Sequence, residues 1–337
     1  MKKQILILTL LLPLLAGCTA KQPEPLPCTP GEAQRLVVYT SHKEEVYTPI
    51  IREFEERTGI WVDVVSGGTN ELLQRIQQEA DAPKADVMFG GGVESLESYQ
   101  DCFSPYICRE AAGISEQFQA ESGYWTPFSA LPVVLVYNTK LVAPESLTSW
   151  KDLESPAFRG KIAFADPQIS GSSYTALVTR LQTGCGMEDS LTRLCTALDG
   201  KQLDSSGAVL TAVADGSALV GITLEETALQ HIAAGEDIAL VYPSDGTSCV
   251  PDGSALVKGA PHGDNARLFL DFTVSTVVQS MVGQRFCRRT VRADIPADPS
   301  LPPLSTLNMV SYDVEWASQN RDRLLSEWSF LLGEVPS

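Results

Sequence analysis

Apolar and polar positions change period repeatedly along the chain after residue 34, and the alternation outlines strands and helices. Leu36-Val37-Val38-Tyr39 is a continuous apolar run of the length of a buried strand. Glu44 to Arg57 sets Ile50, Ile51 and Phe54 on one helical stripe, which Thr58-Gly59 ends. Ile60 to Val65 reads as the next strand and Glu71 to Ala80 as the next helix. Ala85 to Phe89 reads as a third strand, followed by Gly90-Gly91-Gly92 and a further helix. This β-α-β-α-β order predicts an α/β fold with a parallel, helix-covered sheet. The rhythm restarts after Trp125. Leu131 to Tyr137 is an unusually apolar strand, Lys161 to Phe164 begins another unit, and Leu219 to Ile222 and Ile238 to Tyr242 are further strands. Helical spacing marks Asp264 to Phe272, Gln279 to Arg285, and a last amphipathic helix from Tyr312 to Leu332.

The first residues carry a different pattern. Lys2 and Lys3 precede an apolar run from Ile5 to Leu15, and Leu15-Ala16-Gly17-Cys18 follows. The run falls short of the ~20 apolar residues that span a bilayer and has the layout of an export signal. A cysteine directly after Leu-Ala-Gly resembles the bacterial lipobox. The expectation is therefore a signal peptide over residues 1–17, lipidation of Cys18, and a flexible tether over residues 18–34, with four prolines between Lys21 and Pro30. The mature protein would be exported and lipid-anchored at the cell envelope.

Export changes the reading of the cysteines. Eight are present, and removing Cys18 leaves seven in an oxidising compartment. Proximity along the chain suggests Cys102 with Cys108, Cys185 with Cys195, and Cys249 with Cys287, leaving Cys28 alone; other connectivities stay open. With no CxxC motif and no His/Cys cluster, neither a metal nor another cofactor is expected. The net charge of −17 disfavours nucleic acid and anionic lipid surfaces as partners. It leaves room for a small anionic ligand, because a pocket's field comes from nearby dipoles and charges.

Loops at the expected carboxyl ends of strands share a chemistry. They read Thr40-Ser41-His42, Ser66-Gly67-Gly68-Thr69, Gly90-Gly91-Gly92 and Thr223-Leu224-Glu225-Glu226, and Ser170-Gly171-Ser172-Ser173 opens a fifth helix. Open α/β sheets bind ligands at such ends. Helix starts offer unpaired N–H groups and the positive end of the dipole, while Ser, Thr and Gly add donors and close approach. The same residues also serve as plain caps and turns. The triple glycine lacks the third spaced glycine of a dinucleotide fingerprint, where Ser95 stands instead.

The stretches VVYTSHKEEVYTPIIREFEERTGI, ADVMFGGGVESL, PFSALPVVLVYNTKL, SWKDLESPAFRGKIAFADPQISGSSYTALV and VADGSALVGITLEE resemble the bacterial extracellular solute-binding lipoproteins of ABC importers. The likeness is to the group of ferric-iron, phosphonate and sugar-phosphate receptors. It implies a two-lobed periplasmic-binding-protein fold of type II, with two mixed sheets joined by crossing strands at Leu131 to Tyr137 and Ile238 to Pro243. One lobe would hold residues 35–128 plus 243–285 and the other residues 129–242 plus 286–337. The resemblance also implies a monomer that captures a small solute between its lobes and delivers it to a membrane permease.

Iron receptors of the group use a histidine after the first strand, a glutamate after the third and two adjacent tyrosines on the second lobe. Here His42 fits the first position, Gly90-Gly91-Gly92 stands at the second and Glu225-Glu226 at the third. The sugar-phosphate and phosphonate branch fits better. Its anion-holding role falls on Thr40, Ser41, Gly68, Thr69, Gly91, Ser172 and Ser173, with Ser205, Ser206 and His42 beside them. Glu225 or Glu226 would accept hydrogen bonds from sugar hydroxyls. No catalytic residues are expected: G-x-S-x-G is absent, and only three histidines are available as bases. A ferric-iron receptor is the alternative, and a secreted hydrolase a more distant one.

Overall fold

A computed structural model describes residues 30–333 apart from 121 and 184–186. The export signal, Cys18, Cys28, most of the tether and Cys185 lie outside the described residues. The chain runs β1 (Arg35–Thr40), α1 (Glu44–Thr58), β2 (Trp61–Ser66), α2 (Thr69–Gln78), β3 (Val87–Gly92), α3 (Val93–Ser98), β4 (Phe103–Ser104) and β5 (Thr126–Asn138). It continues through β6 (Ile162–Ala163), α4 (Gly171–Gln182), α5 (Met187–Leu198), α6 (Ser206–Ala214), β7 (Val220–Leu224), α7 (Glu225–Ala233), β8 (Ile238–Val241) and β9 (Cys249–Val257). The last elements are α8 (Gly263–Thr273), α9 (Thr276–Phe286), β10 (Arg289–Thr290), α10 (Val314–Gln319) and α11 (Arg321–Leu332).

The architecture turns on β5. All of its thirteen residues are buried, as an apolar strand covered on both faces must be. Its first half, Thr126 to Pro132, pairs antiparallel with β9. Its second half pairs with β7 over Val133–Tyr137 and with β8 over Leu135–Asn138. The two expected mixed sheets are therefore two wings that share one strand. One wing orders β2-β1-β3-β9-β5, with β1 parallel to both β2 and β3, and the other orders β5-β7-β6, with β6 parallel to β7. The chain crosses between wings along β5 and returns through β8 and β9, both antiparallel to it.

Each wing carries its own core. Leu36, Val38, Ile50, Phe54, Phe89, Phe128 and Phe269 pack together on the first. Leu135, Trp150, Phe164, Tyr174, Leu177 and Trp328 pack on the second, which brings α11 back to it. Trp150 and Trp328 are almost fully buried, and truncating either to Ala would cost about 3–5 kcal/mol.

Three readings need correction. Residues 312–332 form two helices instead of one, because the chain leaves helical geometry at Asn320 (φ −96°, ψ 4°). Gly90-Gly91-Gly92 belong to β3 as a bulged end, with a register shift against β9 between Phe89 and Gly92. Cys102, Cys108, Cys249 and Cys287 are free thiols, so neither the Cys102–Cys108 nor the Cys249–Cys287 bridge is formed. Separate packing of the first pair gives the reason. Cys108 is buried with Ile114, Phe118 and Val291, whereas Cys102 leans on the cluster around Phe103 and Val257.

Candidate functional site

A cleft of about 660 Å³ lies where the two wings face each other. Its walls come mostly from the starts of helices. Gly68, Thr69 and Asn70 bring the N-terminus of α2, and Ser170, Gly171 and Ser172 that of α4. Ser205 and Ser206 bring the N-terminus of α6, and Glu226 and Thr227 that of α7. Such starts carry unpaired N–H groups and partial positive charge.

Local chemistry explains each start. Ser170 Oγ caps α4 by accepting from Ser173 N–H at 3.3 Å and lies 3.0 Å from Ser172 Oγ. Ser205 Oγ caps α6 in the same way from Ala208 N–H at 3.3 Å. At α2 the cap residue is Gly68, whose N–H donates to Glu71 Oε2 at 3.4 Å. Gly91 has φ +102°, and a Cβ there would stand 2.7 Å from Thr69 Cγ2. Only glycine leaves Thr69 room against the end of β3.

Nine of the twelve residues expected from sequence line the cleft: Ser41, His42, Gly68, Thr69, Gly91, Ser172, Ser205, Ser206 and Glu226. Three do not. Thr40 is buried, with its hydroxyl donating to Phe89 carbonyl at 2.8 Å and accepting from His42 N–H at 3.1 Å, so it shapes the β1 turn. Ser173 is the buried third residue of α4, its N–H used by the cap. Glu225 turns away from the cleft, both carboxylate oxygens taken by Arg289 at 2.8 and 2.7 Å and one also by Tyr242.

The cleft floor holds residues that the sequence reading missed. Arg288 is its buried cation, donating to Asp252 Oδ2 at 2.7 Å, Ser129 Oγ at 3.1 Å and Glu226 Oε1 at 3.3 Å. Asp252 also accepts from Ser129 N–H at 2.8 Å and Ser129 Oγ at 2.7 Å. Burial pushes the Asp252 carboxyl up against the opposing pull of Arg288 and Ser129. His42 sits beside Phe89 and Phe128, at ring separations of 4.4 and 5.0 Å. Burial, aided by the charge of Arg288, holds its imidazole well below the usual range, so it is neutral at pH 7. His42 Nε2 and Arg288 Nε are buried without a hydrogen-bond partner among the described residues.

The wings touch around this cleft. Asn70 donates to Gln168 carbonyl and accepts from Arg321 at 2.7 Å, and Thr175 donates to Glu94. The resulting enclosure suits a small polar molecule with an anionic group, held by amide and hydroxyl dipoles, and with hydroxyls or an amine for Glu226. Both carboxylates of the Glu225–Glu226 pair are engaged by arginine.

Comparison with known proteins bears on the family and the fold. Iron uptake protein A1 of Synechocystis sp. is 26% identical over 306 residues, covering 86% of this chain and 84% of that protein. A periplasmic protein of Salmonella typhi named for 2-aminoethylphosphonate binding is 22% identical over 263 residues, covering 73% and 74%. The fructose-6-phosphate-bound periplasmic binding protein AfuA from Actinobacillus pleuropneumoniae superposes with a TM-score of 0.83 at 24% identity, covering 89% of this chain and 99% of that one. The family model described as bacterial extracellular solute-binding protein matches residues 36–285. The chain thus belongs to the bacterial extracellular solute-binding proteins, the receptors of ABC importers.

Proposed function

We propose that the solute is a sugar phosphate, captured between the two wings and handed to the importer's permease. The observation that carries this reading is the convergence of four helix starts, from α2, α4, α6 and α7, on one cleft with Ser, Thr and Gly at the openings. The phosphoryl group is placed against Gly68, Thr69, Gly171 and Ser172, where backbone N–H groups and hydroxyls meet, with Lys43 also on the cleft wall. Glu226 accepts from sugar hydroxyls while keeping Arg288, and the neutral His42 supplies a further donor or acceptor through Nε2. A cleft of about 660 Å³ falls within the range of small-molecule sites. Tyrosinate coordination of ferric iron is disfavoured by Glu225 and Glu226 at the tyrosine positions, both in arginine pairs.

Capture works through closure. The lobes are read as residues 35–128 plus 243–285 and residues 129–242 plus 286–337, with the segment up to Val291 moved to the first, since Val291 packs with Cys108 and Ile114. A lipid at Cys18 and a monomeric state complete the reading. Titration calorimetry of the mature chain against glucose 6-phosphate, fructose 6-phosphate, 2-aminoethylphosphonate and ferric citrate tests it. Heat with a sugar phosphate is expected; heat with ferric citrate alone would overturn the choice of solute.

A further inference from the structure

Two adjacent carboxylates at the start of α7 face two adjacent guanidiniums that follow α9. The pairs differ in build. Glu225 takes Arg289 through two bonds, Nε at 2.8 Å and Nη2 at 2.7 Å, accepts from Tyr242 as well, and sees Arg289 anchored by Nη1 to Pro302 carbonyl at 2.8 Å. Glu226 meets Arg288 in one longer contact of 3.3 Å. Arg288 keeps its shorter bond for Asp252 at 2.7 Å. All four side chains are at least nine-tenths buried.

Both pairs join the two wings. The carboxylates stand on α7, directly after β7 of the second wing. The arginines are tied to the first wing, Arg289 by pairing with Ala130 at the start of β5 and Arg288 by Asp252 of β9. Their positions differ too. Tyr242, the residue after β8, marks Glu225–Arg289 as lying beside the return crossing, whereas Glu226 and Arg288 both line the cleft.

We propose that Glu226–Arg288 is an electrostatic latch that holds the wings together before solute arrives, and that Glu225–Arg289 is the fixed pivot beside it. The asymmetry of partners supports the division. When the latch opens, Arg288 retains Asp252 and Ser129, and Glu226 turns to water in the widened cleft, so neither charge is stranded. Breaking the pivot would strand two buried charges, which is strongly unfavourable. Glu226 is thereby a positioning residue for closure, in addition to any contact with solute. The latch rests on the cleft being the binding site and is independent of which solute fills it.

The test uses solute-free mature protein. Glu226→Gln and, separately, Arg288→Lys are compared with the unmodified chain by small-angle X-ray scattering and by hydrogen exchange of peptides covering residues 68–74 and 168–175. A lysine keeps the charge but offers one nitrogen in place of a fork that reaches Asp252 and Glu226 together. The expected result is a larger radius of gyration and roughly tenfold faster exchange in both peptides for each variant, with Glu226→Asp restoring most of the difference. Scattering and exchange identical to the unmodified chain in Glu226→Gln would overturn the latch and leave Glu226 a solute contact alone. Should Glu226→Gln fail to fold, Arg288→Lys decides by the same readouts. Absence of heat with sugar phosphates in the unmodified protein would instead count against the proposed solute and leave the latch standing.

Discussion

Gly91→Ala probes the wall where β3 meets the start of α2. Two costs are separable there. The backbone at Gly91 has φ +102°, outside what L-residues favour, and holding a non-glycine residue in such a region costs about 1–3 kcal/mol. The new Cβ would also stand 2.7 Å from Thr69 Cγ2, an overlap of the kind that costs about 1–3 kcal/mol in a packed interior. The next atoms of Thr69, Oγ1 and Cβ, lie 3.7 and 3.8 Å away, in ordinary contact. Thr69→Ser removes Cγ2 alone and keeps the hydroxyl, so it should relieve the overlap and leave the backbone cost. Urea denaturation of the single variants and the double variant closes the cycle. Gly91→Ala should lose about 2–6 kcal/mol by itself and recover about 1–3 kcal/mol of that in the Thr69→Ser background. Binding of sugar phosphate should fall with Gly91→Ala and return in part in the double variant, because the overlap displaces the start of α2. Equal costs in both backgrounds, with a coupling below about 0.3–0.5 kcal/mol, would refute the steric reasoning.

Removing the α4 cap by Ser170→Ala should lower stability by about 1 kcal/mol in thermal melts and weaken sugar-phosphate binding several-fold; an unchanged affinity would detach that helix start from the anion. His262 Nδ1 lies 2.8 Å from buried Asp86 and Nε2 lies 3.1 Å from Glu32. Burial draws its pKa down, but the Asp86 and Glu32 contacts outweigh that and raise it. Its stabilisation is therefore present below the unfolded value of about 6.5 and lost as pH rises through the folded one; His262→Gln should flatten melting temperature against pH in that window. Glu94 is buried between α3 and α4, and burial raises its carboxyl above the usual range against the hydrogen bond from Thr175. Its contribution is present below about pH 4.3 and lost as pH climbs through the raised value, so Glu94→Gln should melt higher than the unmodified chain at pH 8. Association of a sugar phosphate should speed up with salt, because the net charge of −17 repels the anion at long range, and stopped-flow rates slowed by salt would point to a lysine-based seat instead.

Local chemistry was legible in the sequence and long-range pairing was not. The start of α4 is legible because a serine cap acts within three residues, and β1, α1 and β2 because hydrophobic period is a property of neighbours. Strand β9 went unseen because Pro251-Asp252-Gly253 reads as a turn. In the structure Pro251 stands opposite Ala130 and the irregularity is absorbed by a register shift in β5 between Pro127 and Ser129. Missing that strand hid Asp252, and with it the floor of the cleft. Arg288 carries no sequence signal of its own, since it follows α9 and not a strand. Glu225 lies outside the cleft because it pairs with Arg289, 64 residues away, and only the folded chain brings them together.

The charge arrangement of the cleft is consistent with an acidic protein that seats an anion. Its buried cation, Arg288, is flanked by Asp252 and Glu226, so the floor has no net positive charge to spare. For an anionic solute of the proposed kind, the starts of α2 and α4 supply attraction beside Lys43 on the cleft wall; their N–H groups act over a few ångströms and are not cancelled by carboxylates on the outer surface. A fixed dipole is ordered before the solute arrives, so holding the anion requires no reorganisation of a long side chain. A lysine in the same place would lose rotamer freedom on binding and would pair with the nearby carboxylates in the empty state. Serine and glycine at the helix starts avoid both penalties, and leave Arg288 to its carboxylate partners.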